Sequence, residues 1–355
     1  MITVKRFTKG SVKRSGYRDG MNEGRHRPTL RDIAEATGLS PAAVSYALRG
    51  LQVTPQTQAR VREAAERLGY EADPIARALA SGRTDTIGVL CGSLADGWHQ
   101  EVAAALGRGL IAVGRNAFTL DAGNDPEREA MLAKRLVDQR VDALIVLPVD
   151  PTAAHWGELC RRTVLVAVGD GLPKADPAVE VVFDNATGVT HGLRLLAAAG
   201  HTRVTVLTPT DRSTPDRPAV QVVHQVAPGL GLVAKVRTCP HDLEGAAAVV
   251  RKELTDRQRP TAFLCLADSI AFGVYAAARD LNLSVPEDVS VVGYDDLPVS
   301  RLLTPPLSSY RWPVDELVEA VVSRAVAAIE TGEWRPRAVI VPEPMPRGSV
   351  AAPRT

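Results

Sequence analysis

Much that would mark an enzyme, a secreted protein or a membrane protein is missing from these 355 residues. The four cysteines (Cys91, Cys160, Cys239 and Cys265) are scattered, with no CxxC pair and no histidine at metal spacing. That excludes a disulfide framework or a zinc site and reads as free thiols in a reducing compartment. No apolar run is long enough to span a bilayer. The first residues lack the apolar core of a signal peptide, so the expected place is the cytoplasm. No G-x-G-x-x-G follows a first strand, and there is no P-loop and no G-x-S-x-G elbow. The seven histidines are scattered, and His99, His191 and His201 have no obvious carboxylate or nucleophile partner in sequence. The expectation is a protein that is not an enzyme and holds no cofactor and no metal. Aromatics are scarce at 4%, although the hydrophobic fraction of 45% suits a soluble globular chain long enough for more than one core.

Net charge is also nearly absent, at +1, but the balance is uneven. Residues 1–85 carry 15 Lys and Arg against 9 Asp and Glu, whereas the remainder carries 27 against 32. A basic head on an acidic body suggests that the head meets a polyanion.

What is present starts with TLRDIAEATGLSPAAVSYAL, residues 29–48. Thr29 can N-cap a first helix with Asp32 at the reciprocal capping position. Leu30, Ile33, Ala34 and Thr37 share one face. Gly38 ends the helix, and Leu39 plugs the angle to the next. Ser40 caps a second helix with Pro41 at its first position. Val44 and Leu48 point back at the first helix, leaving Pro41, Ala42, Ser45, Tyr46 and Arg49 outward. This is a helix-turn-helix pattern, whose second helix can lie in a DNA major groove. The local pattern is also compatible with a plain helical hairpin.

Residues 1–27 are basic and without periodicity, and read as a disordered arm. They either touch DNA phosphates or form an upstream extension ahead of Met21. Thr54 and Pro55 open a third helix with Val61, Ala65 and Leu68 inward. Residues 73–85 read as a short helix, marginal alone, that forms against a twin or on DNA, or else as a plain linker. From Thr86 the texture changes to apolar strands spaced by amphipathic helices. These are IGVLC, AFTL, ALIVL, TVLVAV and VEVVF, then RVTVL, LVAKV, AFLCL and VSVVG. Nine strands are too many for one comfortable sheet. Two α/β lobes are expected, with parallel sheets and a cleft at the strand C-terminal ends. The lobes are expected at about 86–185 with 312–337, and about 186–311 with 338–350, in a ligand-binding and dimerisation domain spanning 86–355. The DNA-binding head is placed at 28–72.

These motifs resemble the lac repressor (LacI/GalR) family of bacterial transcriptional regulators. The resemblance rests on the helix-turn-helix above, VTPQTQARVREAAERLGY, DPIARALASGRTDTIGVL, FDNATGVTHGLRLLAAAGHTRV and VPEDVSVVGYDDLPVSRLLTPPLSSYRWP, and covers roughly residues 28–345. It implies an all-α head and hinge helix followed by a two-lobed, periplasmic-binding-protein-like α/β effector domain. It also implies a homodimeric repressor on a pseudo-palindromic double-stranded operator, associated with the nucleoid and relieved or assisted by a small, sugar-like effector. The residues GSVAAPRT show no heptads, so a dimer without a tetramerisation coil is expected.

Carried over residue by residue, the recognition positions are Pro41, Ala42, Ser45 and Tyr46. The family often has a polar or aromatic residue in place of Pro41, and Arg in place of Tyr46. Arg bonds bidentately to guanine whereas Tyr offers one hydroxyl, so altered base preference and more phosphate-borne affinity are expected. Thr29, Ser40, Thr54 and Thr57 stand as phosphate clamps or as caps only. Leu79 matches a hinge leucine that wedges into the minor groove, and Ala76 lets two hinge helices approach. In the cleft, Asp96, Trp98, Arg217, Asp268, Asp295 and Trp312 are the expected ligand contacts. Carboxylates and guanidinium bond hydroxyls, and two indole walls stack on sugar C–H groups. Ala267 stands where the family often has Asn, and Pro218 follows Arg217 directly. Both departures leave room for a smaller, altered or phosphorylated ligand.

Overall fold

A computed structural model describes residues 28–51, 53–71, 78, 82–209, 214–334 and 337–354. The expected arm at 1–27 and the hinge positions Ala76 and Leu79 lie outside the described residues. The chain divides into two units, residues 1–76 and 77–355.

Among its described residues the first unit has three helices: α1 (Leu30–Thr37), α2 (Pro41–Leu48) and α3 (Pro55–Leu68). Their ends are set by local chemistry. The Asp32 carboxylate accepts from Thr29 N at 2.6 Å and from Thr29 Oγ1 at 2.8 Å. Ser40 Oγ accepts from Ala43 N at 3.2 Å, and Thr54 Oγ1 from Thr57 N at 3.3 Å. Gly38 and Gly69 close α1 and α3 at φ 65° and 66°, where a Cβ would be strained. Ile33, Ala34, Val44, Ala47, Val61, Ala64 and Ala65 form the core, with Leu39 and Leu48 packed on it. Ala64 is a core position that the stripe Val61, Ala65 and Leu68 leaves out.

The second unit begins with the strand–helix alternation read from the sequence. The first sheet has six parallel strands. They are β1 (Thr86–Cys91), β2 (Asn116–Asp121), β3 (Ala143–Val146), β4 (Val164–Gly169), β5 (Val179–Phe183) and β11 (Ala338–Ile340), in the order β11-β5-β4-β3-β1-β2. Helices α4 (Gly97–Ala112), α5 (Pro126–Asp138), α6 (His155–Leu159) and α11 (Val314–Thr331) belong to this lobe; α11 packs on α4, β4 and β5. The second sheet is four parallel strands: β6 (Arg203–Thr208), β7 (Val233–Thr238), β8 (Ala262–Cys265) and β9 (Ser290–Val292), in the order β7-β6-β8-β9. Helices α7 (Asn185–Ala198) and α8 (Ala219–Val226) pack together against it, as do α9 (Leu243–Leu254) and α10 (Asp268–Asp280). Near-continuous burial along β3, β8 and β9 is what sheets covered on both faces require.

Three passages of chain join the lobes. One follows β5 at Phe183–Asp184, and one runs through the antiparallel strand β10 (Ser309–Arg311) into α11. The third follows β11 through β12 (Glu343–Met345). The return to the second lobe, expected at Ala338, comes later. Ala338–Ile340 still pairs with Val181–Phe183 in the first sheet, and only at Ser349 does the chain bond β9, through Val291. Three residues of edge strand carry too little pattern to be read in advance.

Candidate functional site

On the first unit, α2 presents Pro41, Ala42, Ser45, Tyr46 and Arg49 away from the core, with Tyr46 41% exposed. Arg49 lies over the Tyr46 ring at 5.3 Å and donates Nε–H to the Ser45 carbonyl at 3.2 Å. This leaves a phenol, a guanidinium and a hydroxyl together on a face otherwise made of small apolar groups. Three of the four hydroxyl positions, Thr29, Ser40 and Thr54, act as helix caps here, and Thr57 lies in the first turn of α3. Thr29 spends its O–H on Asp32. Ser40 and Thr54 use only oxygen lone pairs on their caps, and the Thr54 and Thr57 hydroxyls bond each other at 3.0 Å. A capping oxygen that accepts retains its O–H for a phosphate.

Between the two lobes, at the C-terminal ends of both sheets, lies a cavity of about 730 Å³. Of the six residues expected there, Asp96, Trp98, Arg217, Asp295 and Trp312 line it. Asp268 does not, which corrects the expectation. Its carboxylate turns back into the second lobe and accepts from Leu297 N at 2.9 Å, Ser300 Oγ at 2.5 Å and Ser309 Oγ at 2.7 Å. It fastens the loop behind the cleft, fully buried, and burial pushes its pKa up to about 6. Its backbone N–H bonds the Asp295 carboxyl.

Asp96 caps α4, accepting from Trp98 N at 2.8 Å and His99 N at 3.2 Å. Its other oxygen reaches across the cleft to His241 Nδ1 at 3.1 Å, and His241 also bonds Ser269 Oγ at 3.1 Å. Burial works against the charge of Asp96, but bonds from His241 and His99 hold the carboxyl well below the usual range. Arg217 is a second bridge. From the second lobe it donates Nε–H to Asp170 at 2.6 Å and NH2 to the Pro148 carbonyl at 2.8 Å, both in the first lobe. Burial raises the Asp170 pKa despite that guanidinium. The loop offering Pro148 is itself fixed from beneath. The buried Glu129 accepts from Val149 N at 2.6 Å and Asp150 N at 3.1 Å. Nearby, Asp216 pairs with Arg337 and accepts from Gly171 N at 2.8 Å.

Asp295 has φ 102°, an uncommon setting for a side chain with a Cβ. Its carboxyl bonds the Trp312 indole, and burial, with the Asp268 and Asp96 charges, pushes its pKa well up. The expected pair of indole walls is instead a packed aromatic cluster at the crossovers. Phe183 stacks on Trp312 with centroids 4.2 Å apart, Trp98 meets Phe183 edge-on at 5.4 Å, and Tyr294 lies 5.4 Å from Trp312. Trp98 and Trp312 are only 7% and 3% exposed, so they offer edges to the cavity and bury their faces. The Trp98 indole N–H and the Tyr294 hydroxyl are buried without a hydrogen-bond partner.

His99, Asp170, Phe183, Asn185, His241 and Tyr294 also line the cavity and were not read from the sequence. Asp170, like Asp268, is an acid that follows an apolar strand within a few residues. His241 carries none, because its partner Asp96 is 145 positions away.

Comparison with known proteins places these features in context. Residues 29–73 match the family described as bacterial regulatory proteins, lacI family, and residues 193–350 match the periplasmic binding protein-like domain. The ribose operon repressor of Escherichia coli (strain K12) is 28% identical over 329 residues, covering 90% of this chain and 99% of that one. The HTH-type transcriptional repressor PurR of Shigella sonnei (strain Ss046) is 28% identical over 332 residues, covering 91% and 97%. Among solved structures, the lac repressor dimer bound to operator and the anti-inducer ONPF superposes with a TM-score of 0.79 at 22% identity, covering 92% and 100%. At that identity the likeness is one of fold.

Proposed function

We propose that the chain, whose residues 29–73 match the lacI family of bacterial regulatory proteins, is a transcriptional repressor whose hold on operator DNA is set by a small metabolite bound between its lobes. The observation that carries the DNA half is the outward face of α2. Pro41, Ala42, Ser45, Tyr46 and Arg49 project together from a helix fixed by its caps and by a core of its own. Tyr46 reads bases with one hydroxyl and an apolar ring, and Ala42 can only meet a thymine methyl, so direct readout is thin. Phosphate contacts from Ser40, Thr54, Thr57 and Arg49 supply much of the affinity, while Thr29, with both its donors on Asp32, serves as a cap. Two copies on a pseudo-palindrome, with Leu79 wedged in the minor groove and Ala76 at the hinge contact, complete the reading.

The cavity supports the sensing half. Carboxyl groups, an arginine, two histidines and aromatic edges surround a volume suited to a monosaccharide-sized, hydroxyl-rich ligand. Asp96, Arg217, Asp295, Trp98 and Trp312 are the proposed contacts. The ligand competes with or reinforces the cross-cleft bonds of Asp96 and Arg217, and so shifts the balance between lobe arrangements. The protein works in the cytoplasm on the nucleoid, as a homodimer.

The test has two parts. Selection from a random duplex library should enrich a two-fold symmetric sequence. A thermal-shift screen of sugars, sugar phosphates, polyols and nucleobases should yield a stabilising compound that changes affinity for that sequence at fixed salt. A chain that enriches no sequence is not a sequence-specific repressor.

A further inference from the structure

The far end of the first lobe, opposite the cleft, holds a buried charge cluster that the functional reading leaves unused. Arg115 immediately precedes β2 and is 7% exposed. It donates to Asp85 at 2.7 Å, Asp142 at 3.4 Å and Glu330 at 3.0 Å. Asp142 in turn accepts from Thr84 N at 2.8 Å, Thr84 Oγ1 at 3.0 Å and Asp85 N at 2.9 Å. Arg83 donates to the Ile329 and Glu330 carbonyls at the end of α11, at 3.2 and 3.5 Å. Asp85 is held at φ 52° within this net.

Residues 83–85 are the last stretch of chain between the DNA-binding head and the body, so the cluster fixes where that stretch leaves the body. Arg115 and Asp142 are the buried members, with Asp85 and Glu330 half exposed, so removing Arg115 strands the Asp142 charge. The cluster is also joined to the cleft. α11 starts two residues after Trp312 and ends at Glu330 and Thr331, a rigid rod about 27 Å long at 1.5 Å per residue.

We propose that Arg115 is a positioning residue for operator binding. Through Asp85, Asp142 and Glu330 it fixes the exit of the linker, and so sets the spacing at which two heads meet two half-sites. The inference rests on the repressor reading above. It separates two kinds of DNA affinity. Binding to any duplex depends on the charges of each head singly, whereas binding to a symmetric operator also needs both heads at one spacing.

The experiment uses the full-length chain, a sequence selected by the wild type, and a mixed-sequence duplex of equal length at fixed salt. Arg115→Gln is expected to weaken operator binding tenfold or more while leaving mixed-sequence binding within twofold. Arg115→Lys, which keeps the charge, is expected to recover part of the loss. Glu330→Gln removes only the link to α11 at a half-exposed carboxylate and is expected to weaken operator binding in the same sense. It decides the matter if Arg115→Gln does not fold. Unchanged operator affinity, or equal losses on both duplexes, would overturn the inference while leaving the repressor reading intact. A wild type that enriches no sequence overturns the repressor reading and this inference with it.

Discussion

Asp268 gives the sharpest quantitative test of the body's design. Its carboxyl is fully buried, and burial lifts its pKa from 3.8 to about 6 despite three hydrogen bonds. The native state therefore binds the proton more tightly than the unfolded chain between those values. Stability from this group is present at low pH and is lost as pH rises toward 6 and beyond. The whole effect is roughly 3 kcal/mol at 1.36 kcal/mol per pH unit, of which about 1.3 kcal/mol falls between pH 5 and 7. Asp268→Asn removes the titration while keeping the shape. Urea unfolding of wild type and variant at pH 5, 6 and 7, followed by circular dichroism, gives the difference in unfolding free energy at each pH. That difference, wild type minus variant, should fall by about 1 kcal/mol from pH 5 to 7. A buried acid with a raised value that does not feel the Asp268 charge, such as Glu129, acts on both proteins and cancels. A difference that is flat with pH, or that grows toward pH 7, would show that Asp268 is not a desolvated carboxyl and would refute the reasoning.

Three further outcomes follow from particular contacts. Gly38→Ala places a Cβ at φ 65° with no atom within 4 Å, so only backbone strain is added; unfolding measurements should show a head weaker by about 1–2 kcal/mol with the body unchanged. His241→Ala removes the 3.1 Å bond across the cleft to Asp96. The radius of gyration from small-angle X-ray scattering should rise, and the Asp96 carboxyl should titrate at higher pH than in wild type; an unmoved Asp96 titration would rule out the bridge in solution. Tyr46→Ala cuts back a side chain 41% exposed on α2, so stability should stay within about 0.5 kcal/mol. Affinity for the selected operator should nonetheless drop about tenfold, the loss expected for one base contact in gel-shift titration.

Local chemistry made the head legible almost to the residue. Thr29 with Asp32, Gly38, Ser40 with Pro41, and Thr54 each act on neighbours within four positions, so sequence spacing and spatial contact coincide. The nine strand-like runs of the body were legible for a related reason. A strand buried on both faces must be apolar throughout, which holds for all but β2 and β7, the partly exposed strands at the sheet edges. The five long amphipathic stretches between them likewise became helices. The short strands β10, β11 and β12 were not legible because three residues give no pattern apart from their partners, and the helix α8 because it follows Pro218 with no side-chain cap to mark its start.

By itself the sequence determined the type of most of the longer elements, the point where the helical head gives way to the α/β body, and a set of candidate residues for both sites. Tertiary structure decided which of those candidates share the cleft. Asp268 and Asp170 have the same local signature, yet one side chain turns into the second lobe to hold Ser300 and Ser309, while the other meets Arg217 across the cavity. It also decided that the two indoles pack with Phe183 and do not stand as open walls. The reason is physical. A cap or an apolar stripe is fixed by atoms a few bonds away, whereas the direction of a buried carboxylate depends on donors and charges brought near it only when strands and lobes distant in the chain come together.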